Sequence, residues 1–360
     1  MTIHHVIDSL EVGGAERVVL DLSRQQAAAG ARVTIHCLAK GGPFVEAARE
    51  AGAEVEVDAS TGGFAGRAWR LARAFRSARA DAVHCHNLAA TVVAAPAAWV
   101  SGVRTILATR HGLVGPPQPG NREGRFWTVA RACDHVVAVC EAAQQHLKRG
   151  AGNAAAKVVL IRNGASPAVG GRLASPGARA GSRFTLVCVA RLNAIKGHRS
   201  LLQALALVRR DIPVVRLVLV GDGPERTALE ALSGQLGLAD RVEFVGERLN
   251  PGQWLEAADL FVLPSETEGL PVALIEAFAA GLPVVVTDVG GMPELVNRAA
   301  AGSVVPPADP RALADAIVAR AASPAGLAAS GSRALQFYRD QLTPERMHAD
   351  YWRLMNAGAV

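Results

Sequence analysis

Short β-branched and aliphatic runs, each closed by a glycine turn and followed by a helix-length segment, recur along this chain and restrict it to an α/β architecture. The first instance is IHHVIDSL (3–10), then EVGGAERVVLDLSRQQAAAG (11–30), then ARVTIHCLA (31–39). That order of strand, turn, helix and strand is a βαβ unit, and the parallel sheet it implies begins a doubly wound domain. A second series opens at FTLVCVARL (184–192) and continues through RLVLVGDGPER (216–226) and RVEFVGER (241–248). Between the two lies ASPAVGGRLASPGARAGS (165–182), rich in Pro, Gly and Ser and without hydrophobic period. It reads as a linker. The expected division is therefore a first domain over 1–165, a linker over 166–183 and a second domain over 184–342. The amphipathic tail TPERMHADYWRLMNA (343–357) carries Met347, Tyr351, Leu354 and Met355 at helical spacing, a stripe suited to core packing.

At 360 residues the chain exceeds what one core usually serves. Half its residues are hydrophobic and only 4% aromatic, as in an Ala- and Val-rich α/β protein. The longest apolar run, LAATVVAAPAAWV (88–100), is broken by Pro96 and too short to span a bilayer. With a start straight into a strand-like segment, this favours a cytoplasmic protein. The five cysteines form no C-x-x-C pair and mostly lie in apolar runs, so reduced, buried thiols are expected. The net charge of +6 sits wholly in the first half. An acidic or membrane-surface partner would meet that half, and no nucleic-acid partner is expected.

Chemistry concentrates in PSETEGLPVALIEAFAAGLPVVVTDVGGMPE (264–294). LFVLP (260–264) reads as the end of a buried strand, followed by a polar loop and a helix with Pro271 at its first position and Gly281 just past its end. LPVALIEAFAAG is apolar nearly all round, which marks a buried helix, and a buried glutamate wants a partner. Glu268 in the loop and Glu276 on the second turn would stand roughly 12 Å apart, about the reach of an extended nucleotide sugar. The amides of Gly269 and Leu270 and the positive helix end offer a phosphate seat between them. The plain alternative is a surface helix with two ordinary glutamates. Elsewhere, Arg191 leaves a strand and Lys196-Gly197 opens the next helix, a pair able to close on a diphosphate or simply to be solvated.

In the first half, Gly13 and Gly14 open a helix, either as a ligand-approach point or as a tight turn; they lack the full G-x-G-x-x-G spacing of a dinucleotide site. His111 follows the strand TILATRHG (105–112) at the carboxyl edge where open sheets bind ligands. His84 and His86 alternate onto one strand face, but no third ligand is near in sequence, so satisfied histidines are expected rather than a metal site. GRAWRLARAFRSARAD (66–81) gathers Leu71 and Phe75 on one side and five arginines with Trp69 on the other. That is an outer helix of an α/β domain or, over 67–79, a peripheral membrane contact. The polar stretch GPPQPGNREGR (115–125) reads as a long loop.

The E-x7-E pair with the A-x-A-A-G-L-P-V-V-V-T-D-V-G-G-M-P-E that follows resembles the donor-site signature of the retaining glycosyltransferases of family 4. The resemblance extends over nearly the whole chain and is strongest over 184–310. It implies the GT-B fold, two Rossmann-like doubly wound domains facing across a cleft, with the last helix crossing back to the first domain. It implies a nucleotide-diphosphate sugar donor, most often UDP-linked, and a hydroxyl acceptor, most often in cell-envelope polysaccharide or glycolipid synthesis, with secondary-metabolite synthesis the alternative. Arg191 and Lys196 would hold the diphosphate, Glu268 the sugar hydroxyls and Glu276 the ribose diol. The loop with Gly13 and Gly14 would face the cleft, as would Gly290 at the turn beside the donor, and His111 would touch the donor sugar. The nucleobase would rest near Phe244–Arg248. Glu268, His111, Arg191 and Lys196 form the expected catalytic set.

The chain departs from the pattern at Ser166, where the family usually has the aspartate of N-G-x-D. There is no D-x-D, so cations and helix ends would neutralise the leaving group and neither a metal nor another cofactor is expected. A nucleotide-sugar epimerase of the same architecture and a non-catalytic scaffold are the rivals. A nicotinamide-dependent dehydrogenase is disfavoured by the missing glycine motif.

Overall fold

The computed structural model describes residues 1–58, 63–112, 122–168 and 183–356. The chain divides into two compact units, Met1–Ala165 with Thr343–Val360, and Ser166–Leu342. The first contains strands β1 (Thr2–Ile7), β2 (Arg32–Cys37), β3 (Ala53–Val57), β4 (Ala82–His86), β5 (Thr105–Arg110), β6 (His135–Ala138) and β7 (Val158–Leu160). They form one parallel sheet in the order β3-β2-β1-β4-β5-β6-β7. The second contains β8 (Phe184–Val189), β9 (Val215–Val220), β10 (Val242–Gly246), β11 (Leu260–Leu263), β12 (Val284–Thr287) and β13 (Gly302–Val305), ordered β10-β9-β8-β11-β12-β13, with parallel pairing throughout.

Both sheets are doubly wound. The central strands are buried on both faces, β1 and β4 over their whole length, because helices cover each side. Strand order reverses between β1 and β4 in one unit and between β8 and β11 in the other. At such a reversal the loops leaving the two strands run to opposite faces and open a crevice at their carboxyl ends.

The helix Pro344–Asn356 belongs to the first unit, with Met347, Tyr351 and Met355 buried. The Tyr351 hydroxyl lies 2.9 Å from Thr109 Oγ1 on β5, and Gln25 donates to Glu345 at 2.9 Å. All five cysteines are buried, and none is joined in a disulfide. The polar stretch 115–125 reads differently in part: a helix runs over Arg122–Ala130, and the rest of that stretch lies outside the described residues, as do residues 169–182 of the expected linker. One long helix, Pro324–Gln341, has no counterpart in the sequence reading, because its buried side includes Ser330 and Gly331 and shows little hydrophobic contrast.

Candidate active site

In the second unit the two loops that leave the strand-order reversal carry the predicted chemistry. The chain after β8 passes Arg191 and makes a short turn, Ala194–Lys196. The chain after β11 passes Ser265 and reaches Glu268, which is 7% exposed. Lys196 Nζ donates to Glu268 Oε1 at 2.5 Å, and Ser265 Oγ donates to the same oxygen at 2.7 Å. A carboxylate this buried is held by its cation and by a neutral donor, which together offset its desolvation.

Backbone contacts hold the glutamate loop in place. Glu266 N donates to Ile195 O at 2.8 Å, and Gly291 N donates to Gly269 O at 2.7 Å. Thr287 Oγ1 donates to Ser265 O at 2.5 Å. Gly197 and Gly290 are both left-handed, with φ of 68° and 60°. A Cβ at Gly197 would sit 2.0 Å from Pro264 O, and one at Gly290 2.4 Å from Glu268 O. Only glycine permits both the dihedral and the approach.

The helix after the loop runs Val272–Ala279 and begins one residue later than expected, because Pro271 is extended (ψ 128°) and serves as its N-cap. The 1.5 Å rise therefore applies only from Val272 onward, and the span from Glu268 to Glu276 is part loop, not one helical ladder. Gly269 and Leu270 precede the helix, as their place ahead of Pro271 implies. Glu276 is 6% exposed on a helix whose residues Val272, Leu274, Ile275, Ala277 and Phe278 are also buried.

Arg191 is exposed, and among the described residues no carboxylate pairs with it. Its segment is clamped from β9, since a Cβ at Gly221 would meet Ala190 O at 2.0 Å and one at Gly223 would meet Leu192 O at 2.4 Å. In the Phe244–Arg248 region, Gly246 is left-handed at φ 82° and Arg248 lies over the Trp254 ring at 5.6 Å.

In the first unit, Gly13 caps the helix Gly14–Ala28 with ordinary extended dihedrals, so no glycine-only conformation is needed there. His111 lies just beyond β5, two strands from β1. Its imidazole ends a hydrogen-bonded row: Gln26 Oε1 to His5 Nε2 at 2.7 Å, His5 Nδ1 to His86 Nε2 at 3.0 Å, and His86 Nδ1 to His111 Nε2 at 2.9 Å. Burial lowers His5 and His111 to about 4 and His84 and His86 well below the ordinary imidazole range, so all four are neutral near pH 7.

His5 is the third histidine absent from the local sequence. It lies opposite His84 in the β1–β4 register, and the ligating atoms of His5, His84 and His86 fall within 4.8 Å of one another. The three could hold a metal ion by spacing. As arranged, however, both ring nitrogens of His5 and of His86 already take part in hydrogen bonds.

The basic helix runs Phe64–Ser77 with Leu71 and Phe75 buried, and Trp69 is 63% exposed. Arg67 and Arg70 both pair with Asp58, a residue outside the arginine stretch. Arg73 lies over Trp69 at 5.9 Å.

Comparison with known proteins adds a family. Residues 12–169 match the family model described as Glycosyltransferase Family 4, and residues 183–322 match the one described as Glycosyl transferases group 1. Anabaena HepE in complex with UDP-glucose superposes with a TM-score of 0.86 at 23% identity, over 99% of this chain and 100% of that one. A GDP-mannose-dependent phosphatidylinositol monomannoside mannosyltransferase of Mycobacterium tuberculosis is 38% identical over 150 residues, 39% of this chain and 38% of its own. An exopolysaccharide phosphotransferase of Streptomyces coelicolor is 36% identical over 190 residues, 52% of this chain and 20% of its own. The chain thus spans well under half the length of these curated relatives. Both halves nonetheless match in order, on the two parallel sheets that the HepE superposition covers, and the chain belongs to the GT-B-fold glycosyltransferases of family 4.

Proposed function

We propose that the chain transfers a sugar from a UDP-linked donor to a hydroxyl acceptor with retention of anomeric configuration, in the synthesis of envelope polysaccharide or glycolipid. The observation that carries this reading is the part-buried Lys196–Glu268 pair at the strand-order reversal, with Arg191, which pairs with no carboxylate among the described residues, on the same loop as Lys196. Departure of a nucleotide diphosphate leaves an oxocarbenium-like sugar, which requires cations at the leaving group and a carboxylate beside the ring. Arg191 and Lys196 serve the first need and Glu268 the second; Glu276 accepts from the ribose diol. The bond from the anomeric carbon to the diphosphate breaks, and the acceptor oxygen bonds that carbon on the same face. The acceptor's proton passes to the departing diphosphate oxygen. With cations on the chain itself, turnover proceeds without an added metal.

Support for UDP comes from the Anabaena complexes with UDP and UDP-glucose, and support for the pathway class from relatives named for colanic acid and mannolipid synthesis. The mycobacterial relative is named for GDP-mannose, so calorimetry against UDP-, GDP-, ADP- and TDP-sugars is the first measurement. UDP-sugar binding is expected, and Glu276→Ala should weaken it by about one to two orders of magnitude, the loss of a charged hydrogen-bond partner. Equal affinity in the variant would remove the ribose role. Product followed by NMR in EDTA should keep the donor's anomeric configuration; conversion of donor with no acceptor present would favour an epimerase instead.

Membrane contact through 67–79 is part of the same proposal. Among the described residues no single helix is long and apolar enough to cross a bilayer, so contact would be peripheral. Flotation with anionic vesicles should recover the protein and neutral vesicles should not. Equal behaviour on both would end the idea, and the Asp58 pairing already spends two of the five arginines.

A further inference from the structure

The geometry points to Gln26 as a positioning residue that, through His5 and His86, fixes His111 in the tautomer whose Nδ1 accepts a hydrogen bond, so that the substrate group met there is a hydroxyl. The inference rests on the reading of His111 as a substrate-facing residue, but its chemistry lies in the first unit alone.

Donors and acceptors must alternate along this closed row. A neutral imidazole has one N–H and one lone pair, so each ring passes the polarity of its neighbour onward. The row begins at an amide, and the amide's orientation is decided by its other end: Gln26 Nε2 faces Met355 Sδ at 3.9 Å. A thioether offers only a weak acceptor, so the NH₂ belongs there and the carbonyl oxygen faces His5. Gln26 Oε1 then takes the proton of His5 Nε2, and His5 Nδ1 takes that of His86 Nε2. His86 Nδ1 takes that of His111 Nε2, which leaves a lone pair on His111 Nδ1. That nitrogen is buried and has no partner among the described residues. With the amide reversed, every proton would move to the other nitrogen and His111 Nδ1 would become a donor.

Packing keeps the row from adjusting. Gln26, His5 and His86 are 0% exposed, and the His86 ring is flanked by His84 at 4.0 Å and His111 at 5.2 Å between centroids. The acceptor so presented suits a sugar O–H and disfavours a carboxylate, whose oxygens would face a lone pair.

Long-range ¹H–¹⁵N correlation of the full-length protein at pH 7, with ¹⁵N-labelled histidine, reads the tautomers directly. The expected spectrum has His5, His86 and His111 all protonated at Nε2. Gln26→Met keeps the length and the dry packing but removes the acceptor; it should give His111 a mixture of tautomers. It should also raise the KM of the substrate it contacts roughly five- to tenfold, the value of one hydrogen bond, with less change in kcat. Thr109→Val, on the separate His84 branch, should leave the His111 signals in place. A wild-type His111 protonated at Nδ1, or a Gln26→Met spectrum identical to wild type, would overturn the assignment. The wild-type spectrum decides this even if the variant fails to fold. Intact tautomers in a protein that turns over no sugar nucleotide would uphold the row and refute the function.

Discussion

Lowering the pH from 6.5 to 4 should unfold the first unit while the second remains folded. His4 and His5, 3% and 0% exposed, are each held at about 4. Burial is the first cause for both; for His4 the neighbouring His36, His5 and Arg32 add to it and Glu56 opposes, and for His5 the Gln26 hydrogen bond opposes and His36 adds. His84 and His86, fully buried, are also lowered well below the ordinary imidazole range, burial again the first cause. In the unfolded chain all four take up a proton near pH 6.5. Between that value and the folded one the unfolded state binds more protons, so stability falls as the pH is lowered through this window and is independent of these groups above it. For His4 and His5 a displacement from 6.5 to about 4 corresponds to about 3 kcal/mol each, and a whole domain commonly has about 5–15 kcal/mol in reserve. The second unit has one comparable group, His198 at about 4. Four of the five tryptophans (69, 99, 127 and 352) belong to the first unit, so fluorescence-detected urea melts at pH 7, 5.5 and 4.5 would follow it. A first-unit transition that does not move between pH 7 and 4.5 would refute the account.

Gly290→Ala and Gly197→Ala should each destroy donor binding and cost the second unit on the order of 2–4 kcal/mol, the sum of left-handed strain and a forced backbone shift. The reason is local. Both glycines press on carbonyls of the loop that carries Glu268, at 2.4 Å and 2.0 Å from where a Cβ would stand, and a carbonyl cannot rotate aside as a side chain can. Moving that loop would pull Glu268 from Lys196, and the variant would lose the geometry along with the stability. Gly30→Ala separates strain from collision: its φ is 83°, but nothing lies within 4 Å of the added methyl, so only the dihedral cost of about 1 kcal/mol should appear. Gly290→Ala with wild-type affinity and midpoint would mean that the loop tolerates displacement.

The sequence by itself determined the two doubly wound sheets, the burial of the helix Val272–Ala279 and the burial of the cysteines, because hydrophobic period and glycine turns are local signals. It also marked the residues around the second unit's strand-order reversal, since Arg191, Lys196, Glu268 and Glu276 sit at strand ends or on an over-apolar helix. Tertiary structure alone decided which of them meet. Lys196 and Glu268 are 72 residues apart and become neighbours because β8 and β11 pair at the centre of the sheet. His5 joins His84 and His86 only because β1 lies beside β4, and Asp58 pairs with Arg67 and Arg70 from outside their helix. Parallel pairing across a crossover places distant residues side by side in a register that no local pattern encodes, and the polarity of the imidazole row, set by one buried amide, is the furthest consequence of that pairing.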